Sequence, residues 1–505
     1  MLQQQSARFS VRTFSRRSLL VAAGGLAGWG LSNKFGAQLP SLDGTRTSDV
    51  MAEEGALNDA SGLSHTPIHK HITLTQDPGD RLVQSLRAEI KAASAEGRAF
   101  NIGAARHSMG GQAIPRDGIA VTYDNGFVAP DTQAGTFRAH AGARWSQVIS
   151  TLDPLGFSPK VMQSNNDFGV AATYSVNAHG WPVPFGPMGA TVRSVRMVLP
   201  SLDLVTCSRE ENAELFQLAM GGYGLVWAIV DMEVEMLRNS RLHPRFDTMP
   251  ASEFGTAFKA VVQDPEVSMA YGRLNVERAS FFQNALLVSY RETEDQADLP
   301  AAAGSGWMSH VASRIYRAQL GNEAMKGFRW WNETALGPQL ASGPTTRNSL
   351  INEPVHTLDD RNPQRTDILH EYFVGFDQFD AFLSACRDVI PASYQEFLNV
   401  TLRYVKADSE STLSYAPVDR IAAVMSFSQE LTQRGEADMA RMTQALIDRI
   451  VAIEGAYYLP YRPHARQDQL RACYAGAAQF AAAKRAVDPN LTFRNALWDM
   501  YLKDL

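Results

Sequence analysis

Arg106-His107-Ser108-Met109-Gly110-Gly111-Gln112-Ala113 is the stretch from which the rest of the chain can be read. The apolar run Ala99-Phe100-Asn101-Ile102 before it has the composition of a strand, so the motif sits where a strand runs into a loop. Gly110 and Gly111 permit positive φ and close approach of the backbone to a ligand. Successive backbone N–H groups in such a turn form a concave anion site. Arg106 adds a fixed charge suited to a pyrophosphate. Taken alone, the stretch fits an ordinary Gly-Gly loop as well as an anion-binding one.

The flanking sequence supplies the scaffold. Leu82, Val83, Leu86, Ile90 and Ala93 recur at helical spacing upstream. Ile119 to Tyr123 and Thr136 to Ala139 read as strands, and a helix is expected from Trp145 to Leu155. This short β–α–β rhythm points to mixed α and β structure. A hairpin is expected from Arg193-Ser194-Val195-Arg196-Met197-Val198-Leu199 and Leu204-Val205-Thr206. A short helix from Asn212 to Met220 and a β-branched run through Ile229 and Val230 follow. The texture changes near residue 240, where a domain boundary is expected.

With 505 residues, 45% hydrophobic, the chain is long enough for two globular domains. A net charge of -6 advertises no basic face for nucleic acid. No apolar run reaches the roughly 18 residues that span a bilayer. Cys207, Cys386 and Cys473 are scattered, so neither a disulfide framework nor a metal site is expected, and Cys207 reads as core. At the N-terminus Arg16-Arg17 precedes a short apolar run, the composition of a twin-arginine export signal over residues 1–37. Its Gly24, Gly25, Gly28 and Gly30 mimic a dinucleotide fingerprint but lack a βαβ unit around them. Residues 38–64 are polar and aperiodic and read as a linker.

Four segments, in order, make the chain resemble the FAD-linked oxidoreductases of the vanillyl-alcohol-oxidase superfamily. The first is the His107 loop, where a His followed by Ser commonly carries the flavin covalently. The second is Gly169-Val170-Ala171-Ala172-Thr173-Tyr174-Ser175-Val176-Asn177-Ala178-His179-Gly180. The third runs from Phe185-Gly186-Pro187 through Gly221-Gly222-Tyr223-Gly224 to Ile229-Val230. The fourth is Tyr458-Leu459-Pro460 with Phe480, Lys484, Asp488-Pro489 and Phe493-Arg494-Asn495. The resemblance implies an α+β fold. A two-part PCMH-type FAD-binding domain (65–240) joins a substrate domain with an antiparallel sheet flanked by helices (241–455). A C-terminal segment (456–505) returns to the flavin. It also implies FAD held by Arg106, His107, Ser108, Gly110, Gly111, Gln112, Gly169, Val170, Thr173, Ser175, Gly180, Ile229 and Val230, with the covalent bond at His107. Bicovalent relatives add a cysteine where this chain has Asn165, so no cysteinyl link is expected.

In the second half, Leu369 to Val374 and Leu398 to Val405 read as strands and resemble those of aldonolactone and alditol oxidases. There the resemblance makes Arg403 the substrate-facing cation. Those enzymes often carry a Glu two residues earlier; this chain has Thr401, which breaks the polyol-binding pair. Arg462-Pro463-His464 resembles an active-site segment, with Ala465 in place of its Trp. His464 and His179 are therefore candidate catalytic residues beside Arg403. Glu371 reads as either an active-site carboxylate or a cross-strand partner. Cytokinin dehydrogenases, also similar, use an Asp where this chain has Ser164, with Asp167 nearby.

The leading expectation is an exported, periplasmic or secreted flavoenzyme that takes a hydride from a CH–OH carbon of a sugar-like or other small alcohol. Oxygen or another carrier would reoxidise the flavin. The alternatives are C–N oxidation of a secondary amine and a flavin-bearing binding protein without turnover.

Overall fold

The computed structural model describes residues 55–304, 307–341, 343–354 and 362–505. The strand expected before the His107 loop belongs to a small parallel sheet. Strand β1 (Lys70–Leu74) leads to helix α1 (Asp80–Ala95), then to β2 (Phe100–Gly103) and β3 (Ile119–Tyr123), which lies between the other two strands. The five apolar residues at helical spacing are the five that α1 buries.

A second, antiparallel sheet follows. It comprises β4 (Val128–Asp131), β5 (Thr136–His140), β6 (Phe157–Pro159), β7 (Val192–Val198), β8 (Leu204–Ser208) and β9 (Ala228–Arg238). The order is β8-β7-β9-β5-β4, with β6 also on β9. Helix α1 packs on β7 and β9. At the centre the buried Asp231 of β9 receives Arg138 from β5 at 2.6 Å and Arg196 from β7 at 2.9 Å, so one carboxylate pins three strands. Cys207 is buried in β8, as core. Helix α2 (Trp145–Leu152) ends earlier than expected, in a 3-10 turn at Asp153–Leu155, because Pro154 has no N–H to continue it. Helix α3 (Val170–Ser175) carries the second glycine-rich segment.

After Arg238 the chain crosses into an eight-stranded antiparallel sheet. Its strands are β10 (Arg241–Pro250), β11 (Val267–Leu274), β12 (Asn284–Glu292), β13 (Thr345–Thr346), β14 (Arg365–Val374), β15 (Glu396–Val405), β16 (Arg420–Glu430) and β17 (Ala456–Tyr457). The order is β13-β10-β12-β11-β15-β16-β14-β17. Helices α4 (Ala251–Gln263), α5 (Phe379–Val389) and α6 (Gln433–Ala452) cover one face: α4 packs on β10–β12, α6 on β16, and α5 bridges α4 and α6. The fold is thus α+β, as the resemblance implied. Gly272 makes this packing possible. A Cβ there would come within 2.3 Å of the Phe254 ring on α4, so only glycine lets the helix seat.

The C-terminal segment returns to the first sheet. Phe493 pairs with Phe100 of β2, and the rings meet edge to face at 5.2 Å. Asn495 Nδ2 donates to the carbonyls of Gln112 (2.7 Å) and Tyr223 (2.9 Å), joining the tail to two loops distant in sequence.

One expectation changes. Residues 55–64, read as the end of a linker, are docked on the His107 loop: Asp59 Oδ2 accepts from Gly111 N–H at 2.8 Å, and Ala60 N–H donates to Arg106 O at 3.1 Å. The polar composition serves these bonds rather than solvent. The export signal expected over residues 1–37 and the rest of the linker lie outside the described residues.

A buried ionic cluster ties α6 to the tail. Glu436 accepts from His464 Nε2 at 2.8 Å, from Gln429 Nε2 at 2.7 Å and from Arg462. Burial would raise the Glu436 carboxyl, but His464 and Arg462 hold it well below the ordinary range. Beside it, burial and the neighbouring His464 push His370 down to about 3.

Two outcomes follow. His370 binds its proton less readily when folded than in the unfolded chain, where histidine titrates near ~6.5. The unfolded state therefore gains protons first on acidification, and stability declines as pH falls below about 6.5, with Glu436 adding to the loss lower down. Apparent Tm should drop between pH 7.5 and 5, and His370→Gln should flatten that slope; an unchanged slope contradicts the assignment. Asn495→Ala leaves two buried carbonyls without a donor, at roughly 1–3 kcal/mol each. Thermal unfolding should shift down, with earlier tryptic release of the tail.

Candidate active site

The face of the eight-stranded sheet opposite its helices looks toward the His107 loop. Side chains alternate along a strand, so with Gly272 against α4, Arg273 points the other way. Register carries that face across the sheet. Arg273 pairs with Thr401, Thr401 with Val424, and Val424 with Glu371; Asn399 pairs with Ser426, and Ser426 with Leu369. A register shift between Phe397 and Asn399 sets the parity of β15, a device common beside active sites. These residues and Arg403 line a cavity of about 500 Å³, whose opposite wall is built from the His107 loop and helix α3.

At the centre is a buried pair. His179 Nε2 bonds Glu371 Oε1, and Tyr461 OH donates to Glu371 Oε2 at 3.3 Å. Burial and the adjacent Glu371 push the Tyr461 phenol well above its ordinary range, so it stays a donor. A carboxylate only accepts, so the ring proton of His179 belongs on Nε2. That leaves Nδ1, buried and without a protein partner, as a lone pair at the cavity wall. Arg403 stands on the same face. Its Nε is buried without a hydrogen-bond partner, and burial lowers its pKa while Glu371 counteracts.

The loop wall is small and polar. His107 lines it, its ring centroid 4.3 Å from that of Phe168. Burial pushes the His107 pKa down, against the pull of Asp167, so its imidazole is neutral at ordinary pH. Arg106 takes a left-handed backbone (φ 50°), uncommon for a residue with a Cβ. Its guanidinium donates to Thr122 Oγ1 at 2.8 Å and Val121 O at 3.3 Å. Ser108, Gln112, Gly169, Thr173, Ser175 and Ile229 also line the cavity.

Other sequence candidates lie behind this wall. Gly110, Gly111, Val170, Gly180 and Val230 are not lining residues, and His464 is held at Glu436. The expected anion nest at Gly110 and Gly111 is taken: Gly110 N–H donates to Gln112 Oε1 at 2.9 Å and Gly111 N–H to Asp59. Instead Gly110 admits the tail, since a Cβ there would lie 2.7 Å from Tyr461 O. Sequence reading missed Arg273, Asn399 and Tyr461. The only signal for Arg273 was a charge inside the apolar strand Val267–Leu274.

The walls suit a long ligand with both polar and flat apolar parts. Ser108 Oγ, Gln163 Nε2, Arg106 Nε, Arg403 Nε and His179 Nδ1 are buried, unpartnered and at lining residues, an arrangement proteins keep where something else completes the bonds. Gly103, Ala104, Gly169 and Ala172 leave the opposite wall bare of bulky side chains.

Comparisons with known proteins agree with this geometry. The FAD binding domain family matches residues 81–208. An uncharacterized oxidoreductase of the fasciation locus of Rhodococcoides fascians is 26% identical over 157 residues, 31% of this chain and 36% of that protein. L-galactono-1,4-lactone dehydrogenase 2 of Oryza sativa subsp. japonica is 24% identical, over 35% of this chain and 30% of its own length. Cytokinin dehydrogenase 9 of the same plant is 28% identical, over 23% and 24%. The chain thus spans about a third or less of these relatives. Residues 81–208 are an FAD binding domain, of the PCMH type that the His107 loop resembles.

Proposed function

We propose that this chain is an FAD-dependent oxidoreductase that oxidises a CH–OH carbon of a small, sugar-like or other alcohol. The observation that carries the reading is the His179–Glu371–Tyr461 chain, which ends on a free Nδ1 at the cavity wall beside Arg403. FAD, when bound, supplies hydride acceptance. The protein supplies the rest. His179 Nδ1 takes the hydroxyl proton, and Glu371 stabilises the imidazolium that forms. Arg403 faces the oxygen on which negative charge develops. Amine oxidation of the cytokinin dehydrogenase kind has less support: Ser164 stands where those enzymes use an Asp, and its Oγ accepts from Trp181 Nε1 at 2.7 Å.

Further features belong to the same proposal. His107, neutral and at the cavity wall, holds the flavin covalently. Arg16-Arg17 ahead of a short apolar run directs folded export to the periplasm or beyond. Oxygen or another carrier receives the electrons.

Three measurements test these points. Arg403→Met should keep the flavin spectrum and slow anaerobic flavin reduction by an alcohol on the order of 100-fold; reduction at the wild-type rate makes Arg403 structural. Denatured wild-type protein should retain yellow fluorescence in its gel band and His107→Ala should lose it, whereas a dark wild-type band from yellow protein would falsify covalency. Replacing Arg16 and Arg17 together by Lys should leave the protein in the cytoplasm, and undiminished periplasmic recovery sinks the export assignment.

A further inference from the structure

We propose that the substrate is a hydroxy acid whose carboxylate sits between Arg273 and Arg403, and that Arg273 sets this preference. The inference rests on the alcohol-oxidation reading and narrows its substrate class. Arg273 on β11 and Arg403 on β15 occupy the same face of adjacent antiparallel strands, with Arg273 directly opposite Thr401. Diagonal neighbours of this kind stand roughly 7–8 Å apart at the backbone, within reach of one small anion for two long side chains. Both line the cavity.

Neither guanidinium is neutralised by the protein among the described residues. Arg273 Nη1 donates to Asn399 Oδ1 at 3.0 Å and Thr401 Oγ1 at 2.6 Å, two neutral acceptors that aim it without cancelling its charge. Arg403 makes no hydrogen bond or ion pair there, and its buried Nε is unpartnered. The carboxylate on their face, Glu371, is already engaged by His179 and Tyr461. Arg273 and Arg403 also repel each other: after burial, the charge of Arg273 works to lower the Arg403 pKa. Desolvated cations without a counter-charge are costly. A carboxylate offers two acceptors to the two forks and removes that cost, whereas a neutral polyol leaves it in place.

Thr401 now has a positive explanation. A Glu there would neutralise the guanidiniums and close the anion seat; Thr supplies only an oriented acceptor for Arg273. The carboxylate takes no part in the redox step. The C–H and O–H bonds of the neighbouring carbinol break, its C–O bond becomes a carbonyl, two electrons leave with the hydride to the flavin, and the proton goes to His179 Nδ1.

The test uses the full, flavin-loaded protein. Anaerobic flavin reduction is compared for matched pairs, gluconate against glucitol and glycerate against glycerol. Malonate, which has no carbinol to oxidise, and inorganic phosphate are titrated separately by flavin absorbance shift and Tm. The acids should react roughly 10- to 100-fold more efficiently than their neutral partners. Malonate should bind saturably, and Arg273→Gln should weaken it by a similar factor and abolish the preference. Arg273→Lys, which keeps the charge, should retain part of both and serves where the Gln variant does not fold. Equal reaction of acids and alditols, with malonate causing no shift, overturns the inference and leaves the alcohol-oxidation reading standing. Binding of phosphate without malonate also overturns it. Malonate binding that depends on Arg273, with no hydroxyl compound reducing the flavin, supports the anion seat and defeats the functional reading instead.

Discussion

The side-chain amide of Gln112 holds the site together. Its Nε2 donates to the carbonyls of Leu459 at 2.7 Å and Tyr461 at 3.0 Å, while its Oε1 accepts from Gly110 N–H. One residue of the His107 loop thereby fixes the position of the tail. The tail positions Tyr461, Tyr461 holds Glu371, and Glu371 holds His179. A buried amide can satisfy this many partners only if every donor and acceptor is matched. The loop glycines exist for the same contact, because a side chain at Gly110 would collide with the Tyr461 carbonyl.

The two walls of the cavity divide the work. The loop wall presents a neutral imidazole and small residues, suited to a large aromatic cofactor. The sheet wall presents a proton acceptor backed by a carboxylate, flanked by two guanidiniums. Alternation along β11, β14, β15 and β16 gathers these groups, which no single segment could supply. Preorganisation of this kind is where electrostatic catalysis draws its strength, since the charges need not move during reaction.

Much of this was legible in the chain because local patterns govern it. The apolar spacing in α1, the hairpin of β7 and β8, and the strands carrying Glu371 and Arg403 are set by burial of one face. The site was less legible because it is made by long-range pairing. His179 and Glu371 are 192 residues apart, and nothing local marks them as partners. Arg273 acquires its neighbours only through the register of β11 against β15. His464 sits in a segment that resembled an active-site motif, yet a buried carboxylate on α6 claims its ring. The amides of Gly110 and Gly111 looked free for a phosphate because the competing acceptors, Gln112 and Asp59, are a side chain two residues on and a residue of the stretch read as linker.

The central claim is that the cavity oxidises a carbinol with His179 as proton acceptor. Anaerobic mixing of the flavin-loaded protein with parallel sets of small alcohols and secondary amines tests it most directly, with loss of yellow flavin absorbance as the signal. The account predicts bleaching by members of the alcohol set, slowed by His179→Gln with the flavin still bound. Bleaching by amines while every alcohol leaves the flavin oxidised would contradict it.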